Sequence, residues 1–300
     1  MKSLTSLLHR ALLGIIVLAA PVAALAKPAA GQGIGLPRDI STNGELIDSG
    51  LHFGNVAVAL LFIMVVVWLA IAFFVHNEKH KAKYDHGNSK RAALLVAGFT
   101  VVIFLVVDGH HYYASVVELD ETFWNFNKVD NADALRVEVN GRQWAWQFRY
   151  AGPDGKFATA DDITTLNDLR VPVDKPVVIQ LRSVDVIHSL YIPNVRVKLD
   201  AVPGTTNRLW FQVDKDKLAE AGSNEFDIAC AQHCGTWHYK MHGIMTVYSN
   251  YADFKAWMDE AAVNAALDHP EPPTKEEVEK GAALPVKYGP DWGWTWEQKS

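Results

Sequence analysis

Two apolar segments in the N-terminal part of the chain restrict its possible folds more than any other feature. They extend over residues 53–75 and from about residue 92 to residue 107, and the first charge after the start of the second segment is Asp108. Each approaches the roughly 20 residues that a helix needs to cross the hydrocarbon core of a bilayer. We therefore predict a transmembrane hairpin at 52–117, with spans at about 53–75 and 92–115.

The flanking sequence predicts the orientation of this hairpin. The loop 76–91 carries five Lys or Arg residues against two acidic ones, which places it in the cytoplasm by the positive-inside rule. Residues 1–26 combine basic residues, an apolar stretch and small residues near Ala26, the layout of a cleaved signal peptide. An uncleaved anchor is the alternative. Both features put the segment 27–51 and the long C-terminal part on the outer face.

After residue 118 the long apolar runs give way to short alternating ones. Segments such as LRVEVNGRQWAWQFRY and NEFDIAC are rich in β-branched and aromatic residues and are separated by turn residues. This spacing is typical of an antiparallel sandwich or barrel, which we assign to residues 118–250. Residues 251–268 have apolar side chains at helical spacing and predict a closing amphipathic helix. We expect an irregular tail at 269–300.

Charge and cysteine content limit the partners. The formal net charge is -6 at pH 7, and the sequence lacks the basic stripe that phosphate binding requires, so we expect no nucleic-acid partner. An acidic surface suits a basic protein instead. The chain has 2 cysteines, too few for a disulfide-stapled secreted scaffold.

The segment CAQHCGTWHYKM carries most of the chemical information, because it brings Cys230, Cys234, His238 and Met241 together in sequence. Thiolate, thioether and imidazole are donors that copper favours, whereas magnesium and calcium prefer oxygen. One thiolate would indicate a mononuclear site, but two can each bridge a pair of copper ions, with an imidazole on each ion. Such a centre needs a second imidazole, and we select His188 in DVIHSLYIPNVRVKLDAVPG, at the end of a strand-like run.

Two other interpretations of the cysteines stay open at this stage. A disulfide is common in exported proteins, although so local a bridge strains the chain and leaves the neighbouring His and Met unexplained. A Cys2His2 zinc site with His188 and His238 is chemically feasible, but zinc has no use for Met241.

A second metal is suggested by GPDGKFATADDIT. Its carboxylates, Asp154, Asp161 and Asp162, are of the type that holds calcium. The spacing of an EF-hand is absent, and a polar hairpin turn explains the same residues.

The hairpin and the motifs CAQHCGTWHYKM, DVIHSLYIPNVRVKLDAVPG and NGRQWAWQF resemble subunit II of haem-copper cytochrome c oxidases over nearly the whole mature chain. The resemblance implies a mostly β fold, a cupredoxin-like Greek-key barrel or sandwich preceded by the two-helix transmembrane hairpin. It also implies a location in the inner membrane of a bacterium, with the copper domain on the periplasmic face.

The function implied by the resemblance is that of the electron-accepting subunit of a proton-translocating respiratory oxidase. It would take electrons from cytochrome c at a binuclear mixed-valence copper centre and pass them to haem in subunit I, which reduces oxygen to water. Its partners would be subunit I, other oxidase subunits, cytochrome c and membrane lipid. The alternative is a membrane-anchored protein that delivers copper to an oxidase.

The resemblance also assigns roles to residues. Cys230 and Cys234 would bridge the coppers, with His188 and Met241 completing one metal and His238 and the backbone carbonyl of Gln232 the other. The family usually has Glu at the position of Gln232, and that Glu side chain also holds magnesium at the boundary with subunit I. An amide offers no charge, so a magnesium site is left open here.

The aromatic motif supplies the last expectation. By the resemblance, Trp144 would be the residue nearest the haem edge of bound cytochrome c, with a buried strand tryptophan as the alternative. Asp185 would be a candidate acid for docking the basic cytochrome.

Overall fold

A computed structural model describes residues 35–81, 84, 86–130, 133–159 and 161–267. The expected signal peptide, 1–26, and the expected irregular tail, 269–300, lie outside the described residues.

Two long helical stretches form the N-terminal hairpin. Helix α1 covers Gly44–Val75. The second stretch contains α2 (Lys90–Ile103) and α3 (Gly109–Glu118), joined and extended by π turns at Phe104–Asp108 and Leu119–Phe123. Both stretches are long and apolar enough to cross a membrane, and their apolar side chains are exposed in the single chain. Helix α1 begins earlier than the predicted span because the apolar run marks only the part that fits the bilayer.

The described residues beyond the hairpin form a short helix, α4 (Asn127–Asp130), and ten strands. The strands are β1 (Leu135–Arg142), β2 (Ala145–Tyr150), β3 (Ile163–Leu166), β4 (Asp168–Pro172), β5 (Pro176–Ser183), β6 (His188–Ile192), β7 (Val197–Ala201), β8 (Asn207–Gln212), β9 (Glu225–Cys230) and β10 (His242–Tyr248). Helix α5 (Lys215–Ala221) lies between β8 and β9, and α6 (Tyr251–Leu267) follows β10 where the sequence predicts a helix over 251–268.

The strands build two five-stranded sheets, in the orders β3-β2-β1-β5-β8 and β4-β10-β9-β6-β7. Most neighbours are antiparallel, but β1 pairs with β5 and β4 with β10 in parallel. The antiparallel pairing expected from the strand spacing therefore holds for the other neighbours, and these two pairs are the exception. The chain visits the second sheet through β4 before it returns to the first as β5, and such a crossover allows parallel pairing.

The core lies between the two sheets. Alternate residues of β1 and β2 point inward, and those of them that are fully buried and apolar are Val137, Val139, Trp146, Phe148 and Tyr150. Each such side chain contributes about 1.5–3 kcal/mol by leaving water. From the C-terminal side, α6 adds the fully buried Phe254 and closes the barrel.

The segment before α1 completes this core from the other end of the chain. The side chain of Ile40 is fully buried in the core cluster, and its carbonyl accepts a hydrogen bond of 2.8 Å from the N–H of Asp214. Ser41 forms an isolated bridge with Val213. Further along, both carboxylate oxygens of Asp48 in α1 accept from the Arg196 guanidinium, at 2.7 and 2.8 Å. The hairpin is thus tied to the barrel by contacts distant in sequence.

Candidate metal centre

The centre lies at one end of the second sheet, where β6 begins and β9 ends. Leu190 of β6 pairs with Cys230 of β9, which brings the start of one strand beside the end of the other. The chain then leaves β9 in a loop that returns as β10, and the Cys230 N–H donates to the carbonyl of Met241 across its base, at 3.1 Å. This register places His188, the first residue of β6, beside the loop.

The two cysteines face each other and each has an imidazole beside it. The two Sγ atoms lie 3.8 Å apart. Nδ1 of His188 lies 4.0 Å from Cys230 Sγ, and Nδ1 of His238 lies 3.5 Å from Cys234 Sγ. Among the described residues, one group of at least three His, Cys, Asp or Glu side chains offers ligand atoms within 4.8 Å of one another, and it consists of His188, Cys230 and Cys234.

Two further donors meet the same sulfurs. The Met241 sulfur lies 3.8 Å from Cys234 Sγ, and the carbonyl oxygen of Gln232 lies 3.2 Å from Cys230 Sγ. The six donors selected from the sequence therefore converge on one site. The set of two thiols, two imidazoles, a thioether and a carbonyl fits copper by its softness.

Asp185 fixes the orientation of the His188 ring. Its Oδ1 lies 2.8 Å from Nε2 of His188, on the opposite side of the ring from Cys230. Its Oδ2 accepts a hydrogen bond of 2.7 Å from the backbone N–H of Gln143. A carboxylate on the far nitrogen of a ligating imidazole holds the ring and raises its basicity. Both oxygens of Asp185 are thus engaged within the chain, a different task from the docking role suggested by the sequence.

The turn between β1 and β2 braces the other cysteine. The carbonyl of Cys234 accepts from the Gln143 side-chain amide at 2.9 Å and from the Trp144 indole at 3.2 Å. The next residue is Gly235, with φ +116°, and a Cβ there would lie 2.9 Å from the Gln143 amide nitrogen. The positive φ favours glycine at this position, and a larger residue would also push the Gln143 amide away from the Cys234 carbonyl. Gln143 thus donates hydrogen bonds both to Asp185, which holds the His188 ring, and to the carbonyl of Cys234.

The ionisation of the two thiols is asymmetric. Burial opposes ionisation of Cys230, but hydrogen bonds led by the one from His188 outweigh it and lower its pKa. Burial and then the charge of Cys230 raise the pKa of Cys234. Cys230 therefore ionises more readily than Cys234, and a bound cation would favour the second thiolate. Metal binding at such a site releases a proton and depends on pH.

The geometry bears on the other interpretations of the cysteines. Both are free, with the sulfurs well beyond the roughly 2.05 Å of a disulfide bond. A Cys2His2 zinc site would use four of the donors but would leave the fully buried Met241 sulfur and the Gln232 carbonyl beside the sulfurs without a role.

Each carboxylate of the loop between β2 and β3 accepts a hydrogen bond from its own loop, and Asp162 also lies 3.6 Å from the Arg149 guanidinium of β2. Asp154 accepts from the backbone N–H of Lys156 at 2.8 Å, and Asp161 accepts from the Thr159 hydroxyl at 2.7 Å. Asp162 accepts from the N–H of Ala158 at 2.7 Å. These bonds are those of a polar turn, and the calcium expectation gains no support from them.

Two tryptophans lie at the outer edge of the centre. Trp144 is half-buried against the core, so the alternative of a buried strand residue describes the fully buried Trp146 better. The ring of Trp237, in the loop, contacts that of Trp144 with centroids 4.9 Å apart. The sequence did not identify Trp237, although its position next to His238 was a signal.

Comparisons with known proteins agree on one family. Residues 135–247 match the family model described as cytochrome c oxidase subunit II, periplasmic domain. Over 252 residues the chain is 30% identical to the alternative cytochrome c oxidase subunit 2 of Bradyrhizobium diazoefficiens. The alignment covers 76% of this chain and 84% of that one. The chain belongs to the cytochrome c oxidase subunit II family.

Other members of the subunit II family align over similar lengths. The chain is 26% identical to cytochrome c oxidase subunit 2 of Cereibacter sphaeroides over 289 residues, covering 83% of this chain and 89% of that one. Among solved structures, the periplasmic domain of subunit II of cytochrome oxidase from Bradyrhizobium japonicum is 28% identical and covers 45% of this chain and 98% of that domain, with a TM-score of 0.37.

Family membership confirms the resemblance drawn from the three motifs. It also confirms the fold class, a mostly β, cupredoxin-like domain preceded by two apolar helices. In a subunit II domain, two cysteines and a histidine in this proximity indicate a copper site.

Proposed function

We propose that this subunit accepts electrons from cytochrome c at a binuclear copper centre and passes them to haem in subunit I, where oxygen is reduced to water. The observation that carries the proposal is the contact between Cys230 and Cys234, each with an imidazole at its own sulfur. A pair of adjacent sulfurs with one imidazole at each end supports a two-metal site better than a one-metal site.

In this proposal each donor has a defined part. Cys230 and Cys234 would contribute to holding both metals. His188 and Met241 would complete the donor set of one, and His238 with the Gln232 carbonyl that of the other. When bound, the copper pair supplies one-electron redox chemistry.

The protein contributes rigidity and exclusion of water. His188 and Met241 are fully buried, and Asp185 holds the His188 ring from behind. The Cys234 carbonyl is held by two donors from the β1–β2 turn. A frame that keeps its ligands in place in both oxidation states lowers the reorganisation that accompanies electron transfer.

The proposal includes a location and partners. The two apolar helices support a bacterial inner membrane protein with two spans, and the positive-inside rule puts the copper domain on the periplasmic face. Subunit I and other oxidase subunits would cover the exposed apolar sides of the helices, together with lipid. The net charge of -6 supports a basic cytochrome as the donor. A magnesium ion at the boundary with subunit I would depend on the Gln232 amide.

The test is metal analysis and spectroscopy of the purified oxidase complex. We expect two coppers in this subunit and an electron spin shared over two copper nuclei. Mixing with reduced cytochrome c should change that signal before the haem of subunit I is reduced. One copper per subunit, or a native disulfide between the cysteines, would refute the proposal.

The same measurements separate the copper-delivery alternative. A delivery site binds Cu(I) and gives no spin signal, and it would lose its metal to an oxidase on mixing. Copper that stays bound and is reduced by cytochrome c excludes delivery as the function.

A further inference from the structure

The aromatic surface beside the metal centre has two layers. Trp144 is the inner layer, fixed by its hydrogen bond to the Cys234 carbonyl and packed against the core. Trp237 is the outer layer, and its ring is tilted by 52° against that of Trp144 at a centroid distance of 4.9 Å. Such a distance is typical of a favourable aromatic pair.

Trp237 is held in this position by the backbone of the loop. It lies between the ligands Cys234 and His238 in sequence. The N–H of His238 donates to the carbonyl of Gly235 at 3.1 Å, and the carbonyl of Trp237 accepts from Lys240 at 2.9 Å. These bonds form a tight turn, so the outer tryptophan is presented by the same short segment that presents a metal ligand.

The side chain of Trp237 is nevertheless 53% exposed. An exposed tryptophan that packs on a second aromatic ring is a candidate contact point for a partner, because tryptophan is enriched among the residues that dominate binding energy at interfaces. The contact with Trp144 indicates the kind of partner. It connects Trp237, through a single aromatic ring, to the carbonyl of the candidate copper ligand Cys234.

We propose that Trp237 is the outermost residue of the electron-accepting surface and contacts the haem-bearing face of the donor cytochrome, with Trp144 behind it. This inference rests on the proposed function. In the step concerned, the ferrous haem of the donor would lose one electron and become ferric, and copper held by the two cysteines would accept that electron without a proton or co-reactant. The occupant of the Trp237 surface would thus be the cytochrome c of the proposed function.

The chain offers a matched control in Tyr239. It flanks His238 on the other side and is 66% exposed. Lys240 Nζ lies 6.0 Å from the ring of Trp237 and 5.7 Å from that of Tyr239, so the two aromatics share the same neighbouring charge. Among the described ring contacts, the one with Trp144 belongs to Trp237. The two positions therefore differ mainly in that contact.

The experiment compares Trp237→Ala, Trp237→Phe and Tyr239→Ala in the intact oxidase complex. Binding is measured by titration with a basic cytochrome c in which zinc replaces iron, which separates affinity from electron flow. We expect Trp237→Ala to weaken binding by about tenfold or more, a change typical of an interface hot spot, and to slow electron uptake from native cytochrome c. Trp237→Phe should retain part of both, and Tyr239→Ala should change them by less than about threefold.

The outcomes distinguish this inference from the function on which it rests. Equal binding constants for Trp237→Ala and Tyr239→Ala would overturn it, as would loss of subunit I from the purified Trp237→Ala complex, because Trp237 would then be a subunit contact. The shared-spin copper signal is recorded for every variant. A wild-type complex without that signal would refute the proposed function itself, whatever the binding data.

Discussion

The two halves of the proposed metal centre are held by the fold in different ways. The inner half, His188 and Met241, is fully buried, and one of its members begins a strand of the barrel. The outer half, His238 and Gln232, belongs to the loop after β9, where His238 is half-buried and Gln232 exposed. The inner half is therefore fixed by the core, whereas the outer half is fixed by local turns and by whatever covers the loop.

This difference indicates a division of tasks. A buried ligand with a carboxylate behind it stays in place when the metal changes charge. An exposed ligand beside an exposed aromatic surface is accessible to other proteins. We expect substitutions in the inner half to alter the binding and spectrum of the metal. Substitutions in the outer half should instead alter its contacts with other proteins.

The largest effect should come from the sulfur that both halves share. Cys230→Ser removes a thiolate that contacts donors of each side and should abolish the shared-spin signal, because a hydroxyl is a poor bridge for two coppers. Electron spin resonance of the purified complex measures it. A spectrum identical to that of the wild type would contradict the bridging role.

The second effect tests how the inner half is fixed. Asp185→Ala leaves the far nitrogen of His188 without its carboxylate and should weaken copper binding by about 10- to 100-fold. Competition with a copper chelator measures the affinity. The matched control is His233→Ala, which removes the ring beside the outer imidazole, at 5.6 Å from His238, and should have a smaller effect. A larger loss of copper affinity in His233→Ala than in Asp185→Ala would contradict the expectation that Asp185 is the more important support.

The third effect concerns the thioether. Met241→Leu conserves volume in a fully buried position and should cost less than about 1.5 kcal/mol of stability, so the fold remains intact. Loss of the sulfur should shift the reduction potential and the visible spectrum while copper stays bound, because a thioether is a weak copper ligand that tunes the potential. Spectroelectrochemistry measures both. An unchanged potential would show that the sulfur only fills space.

The smallest effect should come from the outer half. Gln232→Ala removes an exposed side chain but keeps the backbone carbonyl near Cys230, so the copper spectrum should not change. Manganese added in place of magnesium would report on a second metal at this side chain. If Gln232→Ala alters the copper signal, the outer ligand is not the backbone carbonyl.

The sequence identified the candidate ligands of the centre more fully than the residues that support them. Donor chemistry and spacing identify Cys230, Cys234, His238 and Met241, because these residues lie in one short segment. The resemblance adds Gln232 from the same segment. His188 was selected as the end of a strand-like run, whereas in the fold it is the first residue of β6. Gln143 could not be found in this way, since its bonds to Asp185 and Cys234 depend on three separate segments meeting in space.

The same limit applies to the fold. The apolar runs predict both spans, and alternation predicts the strands, because each pattern is local. The parallel pairing of β1 with β5 and the insertion of Ile40 depend on contacts distant in sequence, which no local pattern encodes.

Because Ile40 packs in the core of the barrel, folding of the copper domain depends on how the hairpin inserts in the membrane. Ile40 precedes the first span and the barrel follows the second, so the barrel is completed only when both ends of the hairpin have reached the same side. A chain inserted with its ends on opposite sides would lack this residue, and an isoleucine missing from a core costs about 2–5 kcal/mol. A soluble fragment that starts after the second span carries the same defect. The stability of the domain that binds the metal therefore depends on the correct topology of the hairpin.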